Sequence, residues 1–449
     1  MEKKRPCNPF MAEIDLIKLV GRDIEISEIR YQAIDPDHYI IGVAKRVMQK
    51  LADKIEDIIR PEEPYEVNLL AKESLSDSSD PPLPVIVVAM INPSRLEPYL
   101  PPLLESNTVH LFDMYPASSA NNGEASRHPL PLPATGMQTQ LPVPGASIGL
   151  VTDQRHTFTL GGYIRLSSSP KDVFVLTVPL NLGLGTDVTV PKGTEVTQPS
   201  AADCVAFQKK EEDIFKELLE RDKTQAYHMA KHRKALAETF PFARLVTSSH
   251  DQLDNEKWQE RTFDEKLFQI RRQSTRRRKP FPVKVAPSNE WAILQVTRET
   301  AVGDINKMAK PRSRWSFGSK HGNIRQVEPM LTVTKCGRTT GKTLGKVNGV
   351  KSLYRLPRDG NSVRREDWAL VCHSLGGAIG FPGDAGAVVY AHEADEVDEL
   401  GIGITETPTP CGMIVGTSGT GYVAFMQDLE NIVRRVKEAG LGDMAFVNF

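Results

Sequence analysis

The stretch Phe381-Pro-Gly-Asp-Ala-Gly-Ala-Val-Val-Tyr390 carries the arrangement with the most chemical content in this chain. Gly383 and Gly386 permit a sharp turn, whose backbone amides are the kind of donor that can stabilise an oxyanion. A hydroxyl or thiol at position 385 would complete a frame for acyl transfer. Ala385 supplies neither. The same residues also read as an ordinary hairpin turn leading into a buried strand, Ala387-Val-Val-Tyr390, and the turn alone leaves both readings open.

Four other groupings invite a chemical reading. His228 and His232 stand four apart and would share a helix face, but a zinc-protease helix needs Glu directly after the first His, where Met229 stands, and no third ligand is evident. A solvated face without metal is expected. Gly337-Arg-Thr-Thr-Gly-Lys-Thr343 resembles a phosphate-binding loop that is one residue short, with Cys336 at the first glycine position. The following Leu344-Gly-Lys-Val-Asn-Gly-Val350 alternates like a strand instead of supplying a helix, so neither a nucleotide nor another cofactor is expected. His38, in Asp35-Pro-Asp-His38, belongs to a turn signal. Arg271-Arg-Gln-Ser-Thr-Arg-Arg-Arg-Lys279 is the one dense basic run. It suits a nuclear-import or nucleic-acid segment, with an exposed charged loop as the commoner explanation, and nucleic acid is not the expected partner.

The elements that must position these groups follow from composition and period. The chain has 449 residues, 40% apolar and 25% charged, with a net charge of −1, so it can bury a large core and carries no global field toward nucleic acid or anionic membrane. Five scattered cysteines show no paired or metal spacing and read as reduced thiols. The charged start Met-Glu-Lys-Lys-Arg-Pro and the lack of a long apolar run lead to the expectation of no membrane span and an intracellular site, cytoplasmic or nuclear.

Residues 1–115 read as a small α/β unit. Ile41, Met48, Leu51, Ile55 and Ile58 fall at helical spacing, Pro84 to Ile91 has the β-branched density of a strand buried on both faces, and Val109 to Met114 is a further strand. Residues 116–144 are rich in Pro and Ser and read as a linker. Short β-type runs follow at Ser147–Val151, Phe158–Leu166 and Asp172–Val178, then a charged helical and basic insertion at about 204–280. The β character resumes at Trp291–Val296, Met330–Thr334, Thr343–Val347 and Trp368–Val371, and a terminal helix spans 428–439.

Together, Pro144-Gly-Ala-Ser-Ile-Gly149, Thr159-Leu-Gly-Gly-Tyr163, Val175-Leu-Thr177, Asn289-Glu-Trp-Ala-Ile293, Lys335 to Thr343 and Pro382-Gly-Asp-Ala-Gly386 resemble the intracellular trypsin-like (chymotrypsin-fold) serine peptidase homologues of filamentous fungi. The resemblance covers roughly 145–440. It implies a mainly β protein, a double β-barrel of two six-stranded antiparallel barrels with a cleft between them, carrying the helical insertion and the N-terminal α/β unit as additions.

The resemblance also implies where a catalytic triad should stand. The base would follow Leu176-Thr177, where the chain has Leu180, or Pro179 if the register slips. The orienting carboxylate falls on Glu290, and the nucleophile on Ala385. Asp367-Trp-Ala-Leu370 matches the carboxylate motif literally but comes after the Gly-Arg-Thr-Thr-Gly stretch, in the wrong order. Losing nucleophile or base costs on the order of 10⁶ in turnover, and the remaining oxyanion pocket, Gly383 and Ala385, with substrate binding is worth about 10³ to 10⁴ over water. His156, His250, His373 and His392 lie in the β region, yet a histidine beside Ala385 has nothing to activate. The expectation is a pseudoprotease that binds a protein or extended peptide in the inter-barrel cleft. The rival expectations are an active serine endopeptidase bearing a Ser-to-Ala change at Ala385, and nucleic-acid binding through Arg271–Lys279.

Overall fold

A computed structural model describes residues 18–19, 29–60, 63–74, 82–96, 108–113, 142–151, 157–180, 190–205, 209, 212, 215–216, 219, 239–249, 285–286, 288–299, 324–355, 364–372, 378–381, 383–392, 409–418 and 421–447. The N-terminal unit comprises β1 (Lys18–Leu19), β2 (Ile29–Gln32), α1 (Ile41–Ile58), β3 (Tyr65–Ser74), β4 (Leu83–Met90) and β5 (Thr108–Asp113). The predicted helix and both predicted strands are present. Helix α1 begins after the Asp35-Pro-Asp turn, and its end is set by Ile59 in extended conformation, two residues before Pro61, which disfavours a helical residue 60. Its buried face holds Ala44, Met48, Leu51 and Ile55. That face covers one side of the sheet, against Ile86, Val88 and Met90 of β4, while Val85 and Val87 of the same strand face the other way. Strand β4 is therefore buried on both faces.

The first barrel contains β6 (Ser147–Leu150), β7 (Phe158–Thr159), β8 (Gly162–Leu166), β9 (Ser169–Thr177), β10 (Glu195–Gln198), β11 (Phe240–Ser248) and, after the short β12 (Val285–Ala286), β13 (Ala292–Val296). Antiparallel pairing runs β8-β9-β13-β11-β10-β6-β7. Strands β7 and β8 are two halves of one bent strand. At the bend Leu160 exchanges backbone hydrogen bonds with Gly145 and Ala146, and Gly161 N donates to Leu176 O, which closes the ring. The bend needs glycine, because a Cβ on Gly161 would sit 2.2 Å from Gly386 O. The core combines Phe158, Tyr163, Leu176, Phe242, Trp291 and Ile293.

The second barrel contains β14 (Thr332–Gly337), β15 (Gly341–Val347), β17 (Arg364–Cys372), β18 (Val388–Ala391), β19 (Thr409–Thr417) and β20 (Val423–Asp428), with β16 (Ser352–Arg355) on a hairpin outside the ring. Pairings β14-β15, β15-β17, β17-β20, β20-β19, β19-β18 and β18-β14 are all antiparallel and form a closed six-stranded circuit. In both rings the third strand pairs with the sixth, so the two halves share one wiring. Helix α2 (Leu429–Val436), N-capped by Asp428, buries Leu429, Ile432 and Val436 in the first barrel's core. Strand β21 (Met444–Phe446) then pairs with β8.

Two findings differ from the boundaries read in the sequence. The region 204–280 is not a continuous insertion, because β11 within it is a central strand of the first barrel; the described residues from 201 to 219 are helical, as expected. Pro241 and the charged stretch before it hid that strand, and Pro241 is tolerated next to a β-bulge in the pairing with β10. Nor does the N-terminal sheet end at its own edge. Strand β3 pairs with β16, and β16 with the first half of β17, so the sheet runs into the second barrel.

Candidate functional site

The Gly383–Gly386 turn lies where the two barrels touch, directly before β18. Gly383 and Gly386 adopt φ +102° and +98°, which favours glycine at both. Most polar groups of the turn are spent on the protein. The Gly383 carbonyl accepts from Thr159 Oγ1 at 2.7 Å, and the Ala385 carbonyl accepts from Thr159 N at 3.1 Å. Gly386 N donates to Ile414 O. Asp384 is fully buried and turned inward: Lys335 Nζ donates to it at 2.8 Å, joined by Thr340 Oγ1 at 2.7 Å, Thr339 N at 2.7 Å and Phe381 N at 3.1 Å. What remains is the pair of amides on Gly383 and Ala385, which have no acceptor among the described residues.

The Gly337–Thr343 stretch folds as the β14–β15 hairpin, with Gly341 at φ +64°. The amides of Thr339 and Thr340 serve the Asp384 carboxylate, which gives them an acceptor inside the protein. Arg338, on the same tip, donates through Nε to Asp203 Oδ2 at 2.6 Å and through Nη2 to Oδ1, while its amide donates to Thr159 Oγ1. Asp203 also accepts from Ser147 and Thr157 of the first barrel. Burial pulls the Arg338 guanidinium down to about 10, still charged at neutral pH. Lys335, Arg338 and Asp203 are thus the residues that hold the turn. The sequence displayed Lys335 and Arg338 inside a recognised motif, but nothing in it tied Asp203 to them.

The three triad positions are placed as follows. Leu180, just beyond β9, is 1% exposed and belongs to the first barrel's core, and Pro179 beside it is buried too. Glu290, just before β13, is buried. Its Oε1 meets Arg365 Nη2 of β17 at 2.6 Å, and its backbone is bracketed by the Gln427 side chain. The carboxylate therefore faces a guanidinium of the second barrel. Asp367, the literal match in the wrong order, accepts from Ser288 N and from Tyr354 Oη at 2.7 Å, and burial pushes its carboxyl up.

Of the histidines, His392 follows β18 and bonds Thr334 Oγ1 through Nε2 at 2.9 Å; burial, with Lys342 adding to it, pulls its pKa down. His156, His228, His232, His250 and His373 lie outside the described residues, as does the basic run 271–279. Among the described residues no three His, Cys, Asp or Glu side chains are grouped to hold a metal, and no helix is long and apolar enough to cross a membrane. The four described cysteines are free thiols.

No family model and no curated protein matches the chain. Among solved structures, Thermobifida fusca Protease A aligns at TM-score 0.31 and 11% identity, over 68% of this chain and 98% of its own. Nocardiopsis protease aligns at 0.31 and 12%, over 68% and 97%, and Cellulomonas bogoriensis chymotrypsin at 0.31 and 11%, over 68% and 98%. Scores this low leave the fold to be read from the strand circuits themselves. The chain is a double β-barrel. In that frame the turn and Glu290 bridge the two barrels at strand ends, while Leu180, just beyond β9, is buried in the first barrel's core.

Proposed function

We propose that this double barrel is a catalytically inactive serine protease homologue that binds a protein or extended peptide in its inter-barrel cleft. One observation carries the reading: the three triad positions hold a methyl group, a buried leucine and a glutamate already paired with Arg365. Hydrolysis needs a nucleophile and a base acting as one unit, and neither stands at these positions. Strand addition along a cleft needs only backbone donors and acceptors, and the amides of Gly383 and Ala385, without an acceptor among the described residues, are donors of that kind. The reading keeps the expectation of an intracellular protein, cytoplasmic or nuclear, of the type found in filamentous fungi. The test is selection of extended peptides from a random display library on the whole chain, followed by binding to Ala385→Trp. Loss of at least about tenfold in affinity with an unchanged melting temperature supports cleft binding. Peptides that bind both proteins equally would contradict it.

A second reading, an intracellular trypsin-like endopeptidase whose serine is replaced by Ala385, draws on the same two amides. It requires a base from elsewhere and release of Glu290 from Arg365. Nucleic-acid binding through Arg271–Lys279 predicts an affinity that falls steeply with salt and disappears when Arg276 to Lys279 are neutralised.

A further inference from the structure

The N-terminal sheet meets the second barrel at an apolar seam, Leu70, Val85 and Val87 against Val415, Val423 and Phe425. One polar island interrupts it. Glu66 of β3 is 1% exposed, and Ser418, directly after β19, is 2% exposed and donates its hydroxyl to Glu66 Oε1. The second carboxyl oxygen, Oε2, is buried without a hydrogen-bond partner among the described residues. Asn68, next in the same row, accepts from Ser352 through Oδ1, and its Nδ2 is buried with no hydrogen-bond partner among the described residues.

Among the described residues no cation compensates a charge here. Of the groups on the elements packed around Glu66, Tyr354 Oη is spent on Asp367, Arg365 on Glu290, and Arg355 on the carbonyls of Arg60 and Glu63. Arg30 pairs with Glu73, and Tyr422 packs edge-on against Tyr31. An ionised Glu66 would be a buried anion with one good hydrogen bond, whereas a protonated one leaves only a poorly served O–H. Burial accordingly pushes its carboxyl up to about 7, opposed by the Ser418 hydroxyl and the nearby Asn68 side chain.

Ser418 leads by contact to the turn. Gly421 N donates to Ser418 O, the Gly421 carbonyl accepts from Ile379 N, and a Cβ on Gly421 would lie 2.6 Å from the Phe381 ring, so ring and backbone are in close packing. Phe381 N in turn donates to Asp384.

We propose that Glu66 and Ser418 form a proton-operated latch between the N-terminal unit and the segment supporting the Gly383–Gly386 turn, closed while the Glu66 carboxyl carries its proton. The latch stands whether or not the cleft binds peptide. Once opened, Glu66 reaches water and titrates near its ordinary 4.5, so the closed state is favoured at low pH and its advantage is lost as pH rises from there to about 7. Hydrogen exchange of Ser418 and Gly421 to Val423 in the whole chain, corrected for intrinsic rates, tests this. Protection is expected to fall by up to about tenfold per pH unit between about pH 5 and 7, roughly fortyfold in all. Glu66→Gln should keep its pH 5 protection at pH 7. Ser418→Ala, which keeps the titrating carboxyl, should start less protected at pH 5 and still lose protection as pH rises. A wild-type profile flat in pH, an equal fall in Glu66→Gln, or wild-type protection in Ser418→Ala would each overturn the latch.

Discussion

At the scale of single residues, the turn is held by an ion pair that has no contact with water. Lys335 and Asp384 are both fully buried, and Asp384 receives donors from two amides and a hydroxyl of the β14–β15 tip besides. Breaking such a pair by removing one partner leaves an uncompensated charge, which costs about 3–5 kcal/mol. Lys335→Met should lower unfolding stability by about that much in urea titrations, while Asp384→Asn together with Lys335→Met should recover part of it. A change under about 1 kcal/mol in the single variant would mean that the pair does not organise the turn. The turn itself was legible from Gly383-Asp384-Ala385-Gly386, because two glycines around an acidic residue restrict what the backbone can do there. The engagement of Glu290 by Arg365 was not legible. The two stand 75 positions apart, and only the stacking of one barrel on the other brings them to 2.6 Å.

At the scale of elements, the N-terminal helix is fastened to β17. Arg364, with no exposed surface, reaches across to Glu56 at 2.9 Å and Asp53 at 2.7 Å of α1, with Tyr65 Oη against its Nε at 3.1 Å. Arg364→Met should loosen α1 by about 2 kcal/mol, discounted because Asp53 is half exposed. Limited proteolysis should then cut within Ile41–Ile58 first, and wild-type resistance there would contradict the fastening. Helix α1 and strands β4, β6, β9 and β13 were readable because each has a clean period or a dense β-branched run. Strands β10, β11 and β16 were not. They are short or contain Pro241, and their identity as strands comes from pairing with partners distant in the chain.

At the scale of the whole molecule, the two barrels and the N-terminal sheet share buried seams that carry acids. Glu66 is raised to about 7, and Asp367 is raised as well, burial being the main cause in both. Groups raised in the folded state stabilise it below their unfolded values and withdraw that contribution as pH climbs through the folded ones. Urea midpoints should therefore fall between about pH 5 and 7, with Glu66 accounting for roughly 3 kcal/mol at most. Equal midpoints would contradict the burial of these acids. The double barrel could be anticipated from six short motifs in order, whereas the continuous sheet from β5 through β16 into β17 could not, since no local pattern announces that one unit's edge strand will be completed by another's hairpin.

The proposed function requires that the catalytic unit, and not merely one hydroxyl, be missing. Its most direct test is intact-mass detection of fluorophosphonate labelling on Ala385→Ser and on Ala385→Ser combined with Leu180→His. The account predicts no labelling of the single variant beyond that of free serine, and labelling only once a base stands at position 180. Rapid stoichiometric labelling of the single variant would show a working base elsewhere in the fold and contradict it.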